Sequence, residues 1–307
     1  MLLSRRKTKR TMMKIISMFS VVRGYNIPVV IAAQYLSAIY IFAPHKRALS
    51  VVFDSGLFLI VLASSLAIAS GYIINNFYDS NKDLINRPSK SMLDRLVSQK
   101  TKLQVYFTLN FVVALLAIFI SWRAVIFFSS YIFLIWFYSH KLKKYAIIGN
   151  LTAALLAVIP FFAILLYYKN FYPQIVAHAS FLGILIVMRE IIKDLENLQG
   201  DLANGYQTIP VKYGEATARK VLIGLCLFTV LPLYTLIEVF DVGYMDLYFY
   251  GAALFLIGFA VLVMRAVTKS DYLKLHVILK FLIVTGVFSI VLINPKVLEN
   301  GRNLLPF

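Results

Sequence analysis

Long apolar runs alternate with short polar segments along the whole chain, and nine of these runs come close to the about 20 residues a helix needs to cross a bilayer. They lie at 24–43, 53–76, 103–120, 123–139, 146–167, 173–190, 220–239, 247–264 and 276–294. The pattern predicts an all-α fold, a polytopic membrane bundle of about nine transmembrane helices. Only SWR separates the third run from the fourth, and the last two runs have room to tilt or break at Gly251, Gly258 or Gly286. The second run ends in an abrupt polar segment, NNFYDSNKDLINRP, residues 75–88, and the sixth in another, REIIKDLENLQGDLANGYQTIPVKYG, residues 189–214.

Composition agrees with the periodicity. Of 307 residues, 60% are hydrophobic and 15% charged, against about 25% charged in soluble domains. The polar segments are too short for a separate soluble domain, so residues 1–307 read as one membrane domain with 1–23 as a basic cytoplasmic tail. The net charge of +17 would suggest nucleic acid in a soluble protein. Here the Lys and Arg residues cluster at the ends of apolar runs, which points to membrane lipid and away from nucleic acid. Placing the N-terminus in the cytoplasm assigns 25 of the 31 basic residues to that side and six to the other. That split favours an odd number of spans, with the C-terminus on the opposite face of a cell inner or plasma membrane. The single cysteine, Cys226, excludes an internal disulfide, and the four histidines, His45, His140, His178 and His276, show no metal-ligand spacing.

The two polar segments carry the candidate chemistry. On a helix Asn75, Asp79 and Asp83 are successive i,i+4 neighbours, so their oxygens line one stripe. Asp194 and Asp201 are two helical turns apart and share a face if the helix persists, with Asn197 between them. Carboxylates held this close repel one another, and a hard cation with oxygen ligands, Mg2+, removes that cost while leaving positions for substrate phosphates. Both segments follow even-numbered spans and therefore emerge on one side. Acids on two walls, an apolar interior and nearby cations suit a diphosphate head on a hydrocarbon tail. Candidate phosphate ligands are Lys82, Arg87, Arg189 and Lys193 beside the acids, and Lys141 and Lys143 in YSHKLKK; the lysines equally suit anchoring at the cytoplasmic surface.

At these residues the sequence resembles the UbiA superfamily of intramembrane prenyltransferases. The family's first signature, N-D-x-x-D-x-x-x-D followed by N-R-P, stands here as Asn75, Asp79, Asp83, Asn86 and Pro88. The second stands as KDLENLQGDLANGYQTIPVKYG, with Asp194, Glu196, Gly200, Asp201, Gly205, Thr208, Pro210 and Gly214, and a weaker third match is YSHKLKKYAIIGN at 138–150. The resemblance implies Mg2+-dependent transfer from a polyprenyl diphosphate donor to a lipophilic acceptor, with Asp79 and Asp83 holding one metal, Asp194 and Asp201 the other, and Asn75 supplying a further oxygen. The second signature looks most like the branch containing digeranylgeranylglyceryl phosphate synthase, whose acceptor is a prenylated glycerol phosphate; an aromatic quinone precursor is the alternative acceptor. Two positions depart from the pattern. Asn76 and Asn197 stand where aspartate is common, and each keeps an oxygen while losing a charge and gaining a donor. Outside catalysis, the same acids would suit a cation or lipid-phosphate transporter or a non-catalytic membrane scaffold.

Overall fold

The computed structural model describes residues 2–295 and 297, with side chains from Thr11 onward. The expected position of the C-terminus, Arg302 included, and the side chains of the first ten residues lie outside the described residues. Apart from one isolated bridge between Tyr145 and Gln207, the regular structure of the described residues is helical.

The chain opens with α1 (Leu2–Val21) and α2 (Ile27–Ser37), which runs into a π-helical turn at Ala38–Phe42; α3 (Ala48–Val52) leads to the long α4 (Ser55–Tyr78). Two short helices follow, α5 (Ser80–Asn86) and α6 (Pro88–Asp94). Then come α7 (Gln99–Ile120), α8 (Trp122–His140), α9 (Ile148–Tyr168) and α10 (Pro173–Glu196). A second pair of short helices, α11 (Leu198–Ala203) and α12 (Ile209–Tyr213), precedes α13 (Glu215–Phe228), α14 (Val230–Tyr234), α15 (Asp246–Arg265) and α16 (Lys269–Ser289). Among the described residues eight helical segments are long and apolar enough to cross a membrane, and they fall at the second to ninth expected spans. The first expected span is shorter: 11 residues of α2 and five of the π-helical turn rise only about 24 Å.

Local chemistry sets the helix ends. Asp54 caps α4, its Oδ1 accepting from Gly56 N at 3.0 Å and Leu57 N at 3.2 Å. Ser121 is extended (φ −178°, ψ 162°) and its Oγ accepts from Ala124 N at 3.1 Å. One residue thus both stops α7 and caps α8, which is why SWR is enough to divide the two spans. The glycines of the last two spans do not break them: α15 and α16 run through Gly251, Gly258 and Gly286. At Gly286 the missing side chain makes room instead, since a Cβ there would lie 2.5 Å from the Tyr248 hydroxyl.

Helices α4 and α10 are the most enclosed of the eight. The first packs on α7, α8 and α9, the second on α9, α13 and α16. Helices α4 and α7 pack together, and Ala63 and Ala67 on one and Val113 and Ala117 on the other are fully buried, the alanines being the kind of small side chain that lets helices approach closely. Large apolar side chains such as Phe107, Phe111 and Phe119 point outward instead, as hydrocarbon surroundings permit. The C-terminal ends of α4 and α10 meet at one end of the bundle, where α5–α6 and α11–α12 fold over them. Asn86 Oδ1 accepts from Gly200 N at 3.0 Å and fastens these two covers together.

Candidate active site

The first acidic stripe survives a change of helix. Asp79 is the joint between α4 and α5 (φ −87°, ψ 2°), yet Asp79 N still donates to Asn75 O at 2.9 Å and Asp83 N to Asp79 O at 2.8 Å. The i,i+4 register expected of Asn75, Asp79 and Asp83 is therefore kept. The second stripe is broken once, at Asn197 (φ −103°, ψ 12°), where α10 gives way to α11. Asp201 N donates to Asn197 O at 3.0 Å, so Asp201 still sits over the end of α10.

Lysines join the two stripes. Lys143, delivered by the tight turn after α8, places its Nζ 2.7 Å from Asp79 Oδ1, and the Tyr206 hydroxyl donates to the same oxygen at 3.1 Å. Lys82 reaches from the first segment to the second, its Nζ 2.8 Å from Asp201 Oδ1 and 4.5 Å from the centre of the Tyr206 ring. Asp201 is fully buried and also accepts weakly from Thr208 Oγ1 at 3.4 Å. Asn150 Nδ2 donates to Asp194 Oδ2 at 2.8 Å, which brings the Gly-Asn pair of the third, weaker match to the acids. Gly205, at φ +69°, makes the turn that carries Tyr206 inward.

Charge and burial oppose each other here. Burial alone would raise the Asp79 carboxyl, but the Lys143 and Lys82 ammonium groups more than offset it and hold Asp79 well below the usual carboxylate range. Burial likewise disfavours the charged Lys82, and Asp79 and Asp201 reverse that, so Lys82 stays protonated. Asp83 is pushed up by burial and by the charge of Asp79. Asp201 is pushed up by burial, which Lys82 only partly offsets, and Tyr206 by burial and then by Asp79. Asp79 and Asp201 are thus partnered by largely buried lysine ammonium groups.

Two small polar cavities lie between these groups, of about 30 Å³ and about 20 Å³. Both are bordered by Asn75, Asp79, Lys82 and Lys193; Asp83, Arg87 and Asn197 border the first, Lys143, Asn150 and Asp194 the second. Each has about the room of a single water. Two buried amide oxygens beside them, Asn197 Oδ1 and Asn150 Oδ1, have no hydrogen-bond partner. Among the described residues no three carboxylate or imidazole groups converge as a ready metal-ligating set. The donors available are all oxygens, two of them amide oxygens without a hydrogen-bond partner, and lysine ammonium groups already stand where positive charge is favoured; this is a donor set that fits Mg2+.

Not every candidate residue comes to this place. Arg87 borders the first cavity but gives its Nη2 to Glu196 Oε1 at 2.7 Å. His276 Nδ1 lies 2.9 Å from the other oxygen of Glu196, so Glu196 is a clamp between α5–α6 and α16. Arg189 and Lys193 both pair with Glu190, at 2.8 and 2.7 Å, and of the two only Lys193 borders the cavities. Lys141 is exposed and borders neither. Asn76 borders the first cavity, but both its polar atoms are committed elsewhere: Nδ2 donates to Asp94 Oδ2 at 2.9 Å and Oδ1 accepts from Lys102 Nζ at 2.8 Å. Reading by spacing missed Tyr206, His276, Asp94 and Lys102, whose partners are far away in sequence. The one available signal was Tyr206 standing within the second signature.

A sequence profile of the UbiA prenyltransferase family matches residues 12–292, a stretch that contains every group described above. The chain belongs to the UbiA prenyltransferase family. A digeranylgeranylglyceryl phosphate synthase of Methanobrevibacter smithii is 28% identical over 259 residues, covering 77% of this chain and 89% of the relative. The enzyme of that name from Thermococcus sibiricus is 34% identical over 164 residues, covering 53% of this chain and 58% of its own length. Among solved structures, a digeranylgeranylglyceryl phosphate synthase superimposes with a TM-score of 0.68 at 20% identity, covering 91% of this chain and 98% of the other. A UbiA homologue from Archaeoglobus fulgidus bound to GPP and Mg2+ superimposes with a TM-score of 0.66 at 15% identity, covering 89% and 99%. This UbiA-family chain is an integral membrane prenyltransferase, and the expected helical bundle is the family's fold.

Proposed function

We propose that the chain transfers a polyprenyl group from its diphosphate to a prenylated glycerol phosphate, with Mg2+ as cofactor and the acidic end of the bundle in the cytoplasm. The observation that carries this reading is the junction of the two acidic segments through Lys82, which lies between Asp79 and Asp201. The likeness to the two digeranylgeranylglyceryl phosphate synthases favours the glycerol phosphate acceptor over an aromatic one, and the Mg2+ and GPP bound to the Archaeoglobus fulgidus homologue accord with the oxygen donors found here.

In this scheme Asp79 and Asp83, with Asn75, would hold one Mg2+ and Asp194 and Asp201 a second, which would supply positive charge for the leaving diphosphate. Lys82 and Lys143, paired with Asp201 and Asp79, would turn to the phosphate oxygens, so that positive charge is kept in the site throughout. Lys193 and Arg87 stand at the rim for the same oxygens. Tyr206 keeps Asp79 oriented through its hydroxyl. The donor's hydrocarbon chain extends along α10 toward an apolar cavity of about 140 Å³ lined by Phe181, Leu185 and Phe249. Leu185 lies nine residues before Asp194, about 14 Å along the helix. Loss of diphosphate breaks the allylic C–O bond, and the acceptor hydroxyl bonds that carbon and gives up its proton to the released diphosphate. Apolar walls keep water from competing for the same carbon.

The test is product identification by mass spectrometry after purified protein is offered polyprenyl diphosphates of 10 to 40 carbons, Mg2+ and either a prenylated glycerol phosphate or membrane extract. An ether-linked diprenyl glycerol phosphate is expected. A prenylated aromatic product in its place would overturn the acceptor assignment, and no diphosphate release with any donor would overturn the reading as a whole.

A further inference from the structure

The departure of residue 76 from the aspartate common in the family has a physical cause in its surroundings. Asn76, Asp94 and Lys102 are each at least nine-tenths buried, with 9%, 2% and 1% of their surface exposed. Lys102 Nζ donates to Asn76 Oδ1 at 2.8 Å, and Asn76 Nδ2 donates to Asp94 Oδ2 at 2.9 Å. Asp94 also receives Lys90 Nζ at 2.9 Å and Ser20 Oγ at 2.7 Å. The partners fix which way the amide points, because an ammonium can only donate and a carboxylate can only accept. Residue 76 must therefore accept on one side and donate on the other. An amide does both; a carboxylate would set oxygen against oxygen at the Asp94 contact and leave Asp94 short of a donor.

The chain therefore ties four elements together at the acidic end: Ser20 from α1, Asn76 from α4, Lys90 and Asp94 from α6, and Lys102 from α7. The segment between Asn76 and Asp94 carries Asp79, Lys82, Asp83, Asn86 and Arg87, so the contact closes a loop holding half of the candidate active site. We propose that Asn76 is a positioning residue, a neutral bridge between Asp94 and Lys102 that fixes this loop and offers no oxygen to metal. Only the clause about metal rests on the function proposed above; the bridge itself does not.

An exchange of the two side chains tests it. In Asn76→Asp with Asp94→Asn together, the new carboxylate accepts from Lys102 and from the new amide nitrogen, the amide oxygen accepts from Ser20, and Lys90, which met the atom that becomes that nitrogen, turns to the new carboxylate or to solvent, so the net charge is restored. Each single variant is expected to lower Tm by a few degrees and to raise KM for the donor. The double variant is expected to recover both. Mn2+ affinity, measured by electron paramagnetic resonance in the presence of pyrophosphate, is expected to match the unaltered protein in the double variant. Additive losses in the double variant would overturn the bridge. A double variant that binds Mn2+ about tenfold or more tightly, the scale on which groups around a metal act, would place residue 76 among the ligands and overturn the proposal. If the unaltered protein binds no Mn2+, the metal reading of the site fails while the Tm and KM recovery still decides the bridge.

Discussion

At the scale of single residues, the site is a set of carboxylates held ready by lysines. Lys82 touches both segments, since it partners Asp201 and its charge, after that of Lys143, helps hold Asp79 ionised. Lys82→Met should leave the fold intact and lower turnover by about 10²–10³, the range for removing a preorganised charge-stabilising group; steady-state kinetics beside a melting curve checks it. Tyr206→Phe removes one hydrogen bond to Asp79 and should cost no more than about tenfold in kcat/KM, with Tm changed little. The types and spacing of the acids were legible in the sequence because i,i+4 neighbours are a local property. Tyr206 was not, because its bond to Asp79 spans 127 residues and depends on the turn at Gly205. Lys143 and Lys141 show the same limit: two residues apart in one basic run, they differ only in that the turn after α8 buries one and exposes the other.

At the scale of elements, the two helical covers depend on one close approach. A Cβ on Gly200 would lie 2.3 Å from Asn86 Nδ2, so α5 and α11 meet only because residue 200 has no side chain. Gly200→Ala should force them apart, cost about 1–3 kcal/mol, and lower both Tm and donor affinity. Asn86→Ala should lose the single bond to Gly200 N–H, about 1 kcal/mol, with a smaller effect on both. Thermal melting of the two variants in the same detergent gives the order. Element ends were legible where a capping side chain stood at the boundary, as Ser121 does. The glycines of the last two spans offered no such guide. A glycine within a helix permits a bend without requiring one, and Gly286 serves packing against Tyr248. The kink at Asn197 was also hidden, because the seven-residue spacing of Asp194 and Asp201 fits an unbroken helix equally well.

At the scale of the whole molecule, nine apolar segments and the meeting of two polar ones at one end follow from hydrophobic period and parity. The even numbering of the second and sixth spans was enough to place both acidic segments together. Which helices lie at the centre was not legible, since α4 and α10 are about as apolar as their neighbours and only packing distinguishes them. The orientation proposed above, with the acidic end in the cytoplasm, rests on the excess of basic residues at that end. With Cys226 replaced by alanine, a cysteine substituted for exposed Lys141 should therefore react with an impermeant maleimide in inside-out vesicles and stay unlabelled in right-side-out ones; the reverse pattern would invert the bundle.

The claim on which the rest depends is that the two acidic segments act as one metal-dependent site. Diphosphate release from a radiolabelled allylic donor, measured on purified protein with Mg2+ and with chelator, and on Asp79→Ala and Asp201→Ala, tests it most directly. Release is expected only with Mg2+ and in neither variant, with both variants still folded. Release that survives chelation, or turnover retained in either variant, would contradict the account.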